Sequence, residues 1–198
     1  LMLAVRGMGS AITTALRPLL PANELMIAPP RSADMPLCAE RYLFVAGILR
    51  DKRVFEQTPE EIEEGFRVNL WQITDDCERI LSANSLARIC VIGSESAYRG
   101  SYDDVYASAK RALHDYVEKR HVGQYQQLVC ISPGVIEDGG QNVRRQDEWR
   151  VRQRMDAHPK RRFLMAAEVT KLVHFVLYQD QGYLTSVVVR INGGEHTV

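Results

Sequence analysis

The stretch from Arg88 to Lys110 reads RICVIGSESAYRGSYDDVYASAK and carries the most informative pattern in the 198-residue sequence. Residues 89–92 form an apolar run rich in β-branched side chains, and the run ends at Gly93. Such a run predicts a strand that is buried on both faces, as in a parallel sheet. A loop containing serines follows, and then a helical segment that carries Tyr106. The stretch therefore predicts a strand, a loop and a helix of an α/β protein.

Tyr106 and Lys110 are four positions apart, so a helix places their side chains on one face. An ammonium close to a phenol lowers the phenol pKa from its ordinary value near ~10. A tyrosine tuned in this way can transfer a proton at neutral pH, while a nearby serine hydroxyl holds the substrate oxygen. The pattern favours interconversion of a carbonyl and an alcohol, with Tyr106 as acid/base. The competing interpretation is a surface helix with a packed tyrosine and a solvated lysine.

The start of the chain combines a short apolar run, residues 1–5, with the glycine turn Arg6–Ser10 and a helical pattern after it. A strand, a glycine turn and a helix are typical of a phosphate site, because backbone N–H groups and the helix dipole face the anion. The complete fingerprint has a third glycine four residues before Gly7. Leu3 stands there, so the motif is incomplete, and an ordinary strand-to-helix turn is the alternative.

The second predicted strand, residues 24–28, ends without the acidic residue that NAD-specific sites place there. Arg31 follows this strand, and Arg6 lies in the glycine turn. Both guanidinium groups could pair with a 2′-phosphate. We therefore expect a preference for NADP(H), with NAD(H) as the other cofactor. The alternative is that both arginines are solvated surface charges.

The next strand, residues 42–45, follows after about a dozen residues, which suffice for a short crossover but not for a helix and a further strand. Thr58–Glu61 is a helix start with a capping box, and an apolar stripe continues from it to Leu81. Asn69 falls on this stripe. A buried amide needs hydrogen-bond partners, and these are either neighbouring backbone groups or a water in a proton path.

Composition limits the class of protein. With 45% hydrophobic and 25% charged residues, the chain is expected to form one globular domain over residues 1–198. The 25 basic and 25 acidic residues balance, so we expect no nucleic-acid or membrane partner. The sequence shows no apolar run near ~18 residues and no signal peptide. Its four cysteines are predicted to be reduced core residues of a cytoplasmic protein, and its scattered histidines predict no metal site.

Several short motifs occur along nearly the whole chain. They are Arg6–Gly9, Val45–Gly47, Val68–Leu70, Ser94, Tyr106–Lys110, Ser132–Gly134 and Ile191–Gly194. In this order they resemble the short-chain dehydrogenase/reductase family of NAD(P)-dependent oxidoreductases. The resemblance implies a Rossmann-type, doubly wound, mostly parallel sheet of about six or seven strands with helices on both faces. It also implies reversible hydride transfer between the nicotinamide and a small-molecule carbonyl or alcohol.

The resemblance implies a role for each matched residue. Tyr106 is the expected proton donor or acceptor, Lys110 binds the nicotinamide ribose, Ser94 orients the carbonyl and Asn69 holds a relay water. Ser94 precedes Tyr106 by 12 residues, one fewer than is usual in the family, so Ser96 is a rival for the serine role. The residues expected to contact the cofactor are Arg6, Gly7, Met8, Gly9, Arg31, Ala46, Gly47, Tyr106, Lys110, Pro133, Gly134 and Ile136.

Departures from the family pattern support a second class of function. The first glycine is missing, Phe44–Gly47 replaces an Asn-Asn-Ala-Gly element, and two acidic residues follow the Pro-Gly turn, at Glu137 and Asp138. A non-catalytic Rossmann-like protein that senses a nucleotide or binds a partner is therefore the alternative to the enzyme. The resemblance further implies a variable substrate lobe at about residues 135–165, and a homodimer or homotetramer that pairs through the helices holding Asn69 and Tyr106.

Overall fold

The computed structural model describes residues 1–29, 33–139, 148–180 and 182–195. Within these ranges six parallel strands form one sheet in the order β2-β1-β3-β4-β5-β6. The first four strands along the chain overlap the four predicted strands, and the predicted α/β class and parallel sheet are confirmed. The strands are β1 Met2–Arg6, β2 Leu25–Ile27, β3 Arg41–Phe44, β4 Arg88–Ile92, β5 Gln127–Pro133 and β6 Val187–Ile191.

Helices cover both faces of the sheet. They are α1 Ala11–Leu16, α2 Pro59–Phe66, α3 Gln72–Ala83, α4 Ser96–Arg99, α5 Asp104–Lys119, α6 Glu148–Ala157 and α7 Ala166–His174. Two π-helical segments also occur: Arg67–Trp71 joins α2 to α3, and Phe175–Gln179 extends α7. Short 3₁₀ turns lie at Arg17–Leu19 and Val54–Glu56. In the described ranges, no helix has the length and apolar character needed to cross a membrane.

The order of the strands places a crevice above β1 and β3. The chain runs from β1 outward to β2 and then returns to β3 on the other side of β1, where Ala4 lies beside Tyr42 and Val5 beside Leu43. Such a reversal opens a crevice at the carboxyl ends of the strands. The described residues between β2 and β3 contain no helix or strand, as the short spacing predicted.

Alternate residues of the central strands feed two apolar clusters, one on each face, because successive side chains of a strand point in opposite directions. One cluster joins Ala4, Tyr42 and Phe44 to α3 and α5, and the other joins Leu3 and Val5 to α1 and α7. The helical contributions are Ile73, Cys77 and Ile80 of α3, Leu113 and Val117 of α5, Ile12 and Leu16 of α1, and Val169 and Val173 of α7.

The four cysteines differ in burial. Cys77, Cys90 and Cys130 are buried, as predicted, and none of the four forms a disulfide in the described residues. Cys38 is exposed, so its prediction as a core residue is wrong. It lies in the connection between β2 and β3, which buries Met35 and Ala39 instead.

Arg6 ends β1 in a buried ion pair. Its side chain is only about 6% exposed, and it donates to Asp76 Oδ2 on α3 from Nε at 3.0 Å and from Nη2 at 2.6 Å. Nη2 also donates to the carbonyl of Ala33 at 2.9 Å, and Asp76 Oδ1 accepts from Met35 N at 3.0 Å. This guanidinium joins β1 to α3, so its prediction as a cofactor contact is corrected to a structural role. Arg31, its predicted partner in phosphate binding, lies outside the described residues.

The glycine turn is shorter than the fingerprint suggests. Leu3 is fully buried inside β1, so the strand occupies the place of the missing glycine and leads directly into Gly7. Gly7 has a φ of +107°, and a Cβ added there would lie 2.6 Å from the amide nitrogen of Ala46. Both a left-handed conformation and a close backbone approach therefore require glycine. Ser10 then caps α1 by accepting a hydrogen bond from Thr13 N at 3.0 Å.

We expect Gly7→Ala to lower the free energy of unfolding by about 2 kcal/mol or more, because it adds a strained φ to a backbone clash. The matched control is Gly9→Ala, since a Cβ at Gly9 meets nothing within 4 Å. This change should leave stability the same or raise it by about 0.4–1 kcal/mol. Urea denaturation of both variants measures the difference. Equal stabilities would show that the Gly7 turn is not packed against Ala46.

Asp76→Asn should lower the free energy of unfolding by about 3–5 kcal/mol, because it leaves the buried Arg6 guanidinium without its counter-charge. Glu63→Gln, an exposed carboxylate on α2, is the control and should change stability by less than about 0.5 kcal/mol. Chemical denaturation of the two variants measures the difference. A denaturation midpoint of Asp76→Asn equal to that of the wild type would show that the ion pair does not stabilise the fold.

Candidate active site

Helix α5 places the predicted tyrosine and lysine at the carboxyl ends of the strands. It begins after Asp103, whose Oδ1 accepts a hydrogen bond from the amide of Tyr106 at 3.1 Å. Tyr106 lies one turn inside the helix and is partly buried, and Lys110 lies one turn further and is buried. The four-residue spacing therefore puts both side chains on one face of the helix, as predicted.

Lys110 is anchored to the sheet. Its Nζ donates to the carbonyl of Ile92, the last residue of β4, at 2.8 Å, and lies 5.8 Å from the centroid of the Tyr106 ring. Burial lowers the pKa of the Lys110 ammonium to about 8. The ammonium thus lies below the phenol ring and is directed to the backbone.

The pKa of Tyr106 is raised, which is opposite to the predicted direction. Burial is the main cause, the hydrogen bond with Ser94 lowers the pKa in part, and the negative charge of Asp103 raises it. Lys110 is directed to the Ile92 carbonyl instead of the phenol oxygen, so it does not offset burial in this structure. The phenol is consequently protonated at neutral pH.

Ser94 is the serine that the fold brings to Tyr106. It follows β4 by two residues, and its side chain lies beside the Tyr106 phenol, whose pKa it lowers. Ser94 Oγ also accepts from the amide of Ser96 at 3.1 Å. Ser96 starts helix α4, and its backbone thereby supports Ser94. The structure therefore pairs Tyr106 with Ser94 and favours Ser94 over Ser96 for the role of orienting the substrate.

Asn69 is fully buried within the π-helical segment between α2 and α3. Its Nδ2 donates to the carbonyl of Ile48 at 2.8 Å, and its Oδ1 accepts from the amide of Ile48 at 3.0 Å. Both ends of the amide are therefore satisfied by backbone, which was the first of the two predicted alternatives. The side chain fixes the segment that leaves β3. A role for Asn69 in holding a relay water stays a prediction.

Two cavities meet at this point. The α1-side cavity, about 500 Å³, reaches from the start of α1 across the carboxyl ends of β3, β4 and β5. The α4-side cavity, about 460 Å³, lies between α4, the loop before α5 and α6. The residues that line both cavities are Leu49, Ser94, Tyr106, Pro133 and Gly134. The two hydroxyl groups therefore lie at the junction of the two cavities.

The α1-side cavity collects many of the residues predicted to contact the cofactor. Those that line it are Gly47, Tyr106, Pro133, Gly134 and Ile136. Gly7, Met8 and Gly9 directly precede residues 10–12 in its wall, and Ala46 packs on Gly7. Lys110 lies behind Ile92, whereas Arg6 is turned away to Asp76.

Part of its wall is bare backbone, because Gly47, Gly93, Gly134 and Gly139 line it. A long, flat ligand can therefore approach the main chain closely. The two acidic residues after the Pro-Gly turn are not part of this lining. Asp138 instead accepts a hydrogen bond from the amide of Ala166, at the start of α7, at 2.8 Å. The residues present therefore fit the nicotinamide end of a dinucleotide.

Sequence reasoning missed two buried polar residues beside Ser94. Burial alone would raise the pKa of the Glu95 carboxyl, but hydrogen bonds from Arg190, Asn192 and Ser132 lower it. The distances to Glu95 are 2.5 Å from Arg190 Nη2, 2.7 Å from Asn192 Nδ2 and 2.8 Å from Ser132 Oγ.

The second residue is His114, four residues after Lys110, which accepts a hydrogen bond from the Ser94 amide. The same four-residue spacing that indicated Lys110 would have found His114.

No protein-family model matches the sequence. The chain is similar to the 3-oxoacyl-[acyl-carrier-protein] reductase FabG of Buchnera aphidicola, with 26% identity over 156 residues that cover 75% of this chain and 63% of the reductase. The chain spans less than two thirds of the length of the curated relatives that it matches.

Solved structures share the fold over almost the whole chain. A short-chain dehydrogenase/reductase from Brucella melitensis has a TM-score of 0.84 and 18% identity, covering 100% of this chain and 97% of its own. A variant of ElxO with NADPH bound has a TM-score of 0.78 and 15% identity, covering 98% of both chains. These similarities show that the chain has the fold of the short-chain dehydrogenase/reductases, and its sequence is similar to that of reductases with this fold.

Proposed function

We propose that this protein is an NAD(P)-dependent oxidoreductase that interconverts a small-molecule carbonyl and the corresponding alcohol. The observation that carries the proposal is that Ser94 and Tyr106 lie side by side at the junction of two cavities, both of which they line. One cavity is suited to a nucleotide and the other to a substrate. The relatives named as 3-oxoacyl-[acyl-carrier-protein] reductases support a carbonyl substrate.

The proposed cofactor is NADP(H), with NAD(H) as the weaker alternative. The structural similarity to ElxO with NADPH bound supports it, as does the absence of an acidic residue at Ala28 and Pro29, just after β2. In the α1-side cavity, Tyr106 would face the nicotinamide ribose, and Gly134 and Ile136 would border the carboxamide. When bound, the nucleotide supplies or accepts the hydride.

The chain's own residues handle the proton. In the direction of reduction, the Tyr106 phenol donates its proton to the carbonyl oxygen of the substrate, while Ser94 Oγ donates a hydrogen bond to the same oxygen. The raised pKa of Tyr106 keeps the phenol protonated at neutral pH, which suits this direction. Lys110 lies one helical turn below, with its Nζ 5.8 Å from the centroid of the Tyr106 ring, and is proposed to bind the nicotinamide ribose. Asn69 is proposed to hold a relay water.

The α4-side cavity is the proposed substrate site. Arg50, Arg99 and Arg154 line it together with Asp51. Two of these arginines are already paired, Arg50 with Glu64 at 2.5 Å and Arg99 with Glu195. Residues 135–165, the proposed substrate lobe of a single domain over residues 1–198, contribute Val135 and Arg154 to the wall.

Assembly and location complete the proposal. We place the protein in the cytoplasm as a homodimer or homotetramer that pairs through the helices holding Asn69 and Tyr106. Trp71, at the end of the π-helical segment, supports this pairing. It is 45% exposed and stacks on Phe66 with a centroid distance of 5.8 Å, so it presents an apolar surface.

A non-catalytic nucleotide-binding protein is the second candidate. The short turn Gly7–Ser10 favours it, because Ser10 and Thr13 use their hydroxyls on each other at 2.9 Å and α1 has only 6 residues. The enzyme and the binding protein differ in one outcome. Nucleotide binding without turnover of any carbonyl in a broad screen would favour the second candidate.

Tyr106→Phe should lower kcat for NADPH-dependent carbonyl reduction by about 10²–10⁴-fold, because the proton donor is lost. NADPH affinity should stay within about threefold of wild type. Tyr125→Phe, at an exposed tyrosine, is the matched control and should retain full activity.

Ser94→Ala should lower the activity more than Ser96→Ala does, and the reverse order would assign the serine role to Ser96.

Fluorescence titration should show NADPH binding more tightly than NADH. Arg31→Ala should weaken NADPH binding about tenfold or more, through the loss of a charge-assisted contact to the 2′-phosphate, and leave NADH binding unchanged. Arg152→Ala, an exposed arginine of α6, is the control. Equal affinity for both nucleotides in the wild type would contradict the proposed preference.

A further inference from the structure

We propose that His114 is a positioning residue for the reaction: its neutral imidazole accepts the backbone N–H of Ser94 and so sets the serine hydroxyl against Tyr106. This inference rests on the function proposed above. His114 lines neither cavity, so it acts through Ser94 and does not touch substrate or cofactor.

The contact links the two halves of the site. His114 Nε2 accepts from Ser94 N at 3.3 Å, and the histidine is 3% exposed. It lies on α5, two turns after Tyr106, so one rigid helix carries both the acid/base and the group that holds Ser94. The hydrogen bond on the Ser94 amide thereby ties the Ser94 loop to the helix that carries Tyr106.

The surroundings are shaped for this ring. A Cβ at Gly93 would lie within 2.8 Å of His114 Cδ2 and 2.7 Å of Cys130 Sγ, so only glycine lets the imidazole reach the end of β4. The Tyr98 ring packs against the imidazole with a centroid distance of 5.3 Å, and Arg190 lies 4.2 Å from the Tyr98 ring centroid. Stacked layers from β6 and α4 therefore hold the ring in its orientation.

The hydrogen bond requires a neutral ring. A nitrogen that accepts an N–H carries no proton, so the proton of neutral His114 is on Nδ1. Among the described residues, Nδ1 is buried without a hydrogen-bond partner, so packing and the Ser94 amide are what orient the ring. A doubly protonated ring would turn a second N–H toward the Ser94 amide and break the contact.

Burial and the neighbouring charges keep the His114 ring neutral. Burial, first, and the nearby Lys110 lower the pKa of His114 to about 4. Arg111 acts in the same direction, and Glu95 and Asp115 act against it. The titratable or charged groups facing the ring are Lys110, Arg111 and Asp115 of α5, Glu95 and Tyr98 after β4, Cys130 of β5, and Arg190 of β6 through Tyr98.

The test compares three variants with the wild type, using NADPH and ethyl acetoacetate as the carbonyl probe. His114→Gln keeps an acceptor at the position of Nε2, whereas His114→Asn places its amide at the position of Nδ1 and His114→Leu has no acceptor. We expect the Leu and Asn variants to lose about tenfold or more in kcat, the cost of one hydrogen bond. KM and NADPH affinity should be unchanged, and the Gln variant should stay within about threefold of wild type.

Two further readouts separate positioning from packing. The amide signal of Ser94 in NMR should shift and exchange faster in the Leu and Asn variants, but not in the Gln variant.

The second readout is the pH dependence of stability. The pKa of His114 in the folded protein is below its ordinary value near 6.5, so its contribution to stability is present above about pH 6.5 and is lost as pH falls toward 4. The free energy of unfolding should therefore fall more steeply over this range in the wild type than in His114→Gln.

The outcomes are distinguishable. Wild-type kcat in the Leu and Asn variants, or an equal loss in all three variants, overturns the role of His114 and leaves the proposed function in place. Wild-type protein that binds NADPH but reduces no carbonyl overturns the proposed function, and the positioning role falls with it. Loss in Leu and Asn with rescue by Gln, at unchanged NADPH affinity, supports the inference.

Discussion

A buried hydrogen bond from the Lys110 ammonium to the carbonyl of Ile92 joins helix α5 to the end of strand β4, and the site depends on it. Burying an ammonium costs free energy unless it is hydrogen-bonded. Burial disfavours the charged form and lowers the pKa of Lys110 to about 8. Ser94 lies two residues beyond Ile92, and Tyr106 one helical turn before Lys110. This contact therefore helps to set where both hydroxyls lie relative to the sheet.

Local patterns predicted the fold well because they depend on near neighbours. The apolar runs gave the strands, the capping box at Thr58 gave the start of α2, and the four-residue spacing placed Tyr106 and Lys110 on one face. Side-chain partners far away in the chain could not be predicted in this way. Arg6 was expected at the cofactor, but Asp76 is 70 residues further along the chain and becomes its neighbour only once α3 packs on the sheet.

The pKa shifts also could be predicted only as far as they depend on neighbours in the sequence. The spacing correctly predicted that the ammonium would lie near the phenol, but the direction of the Tyr106 pKa shift depends on what the ammonium points at and on how deeply the ring is buried. The hydrogen-bond partner of the Asn69 amide could not be predicted either, because it is the backbone of Ile48, 21 residues away in the chain. Sequence periodicity indicates which face a residue occupies, whereas its partners depend on the packing of other elements.

The network around Glu95 has a consequence for how the molecule folds. Its carboxylate joins Arg190 of the last strand, a contact between residues 95 positions apart, and closing so long a segment of chain is entropically slow. The loop that carries Ser94 is therefore expected to reach its final geometry only after β6 has joined the sheet. The alignment of Ser94 with Tyr106 is thus a late event in folding, although both residues lie in the middle of the chain.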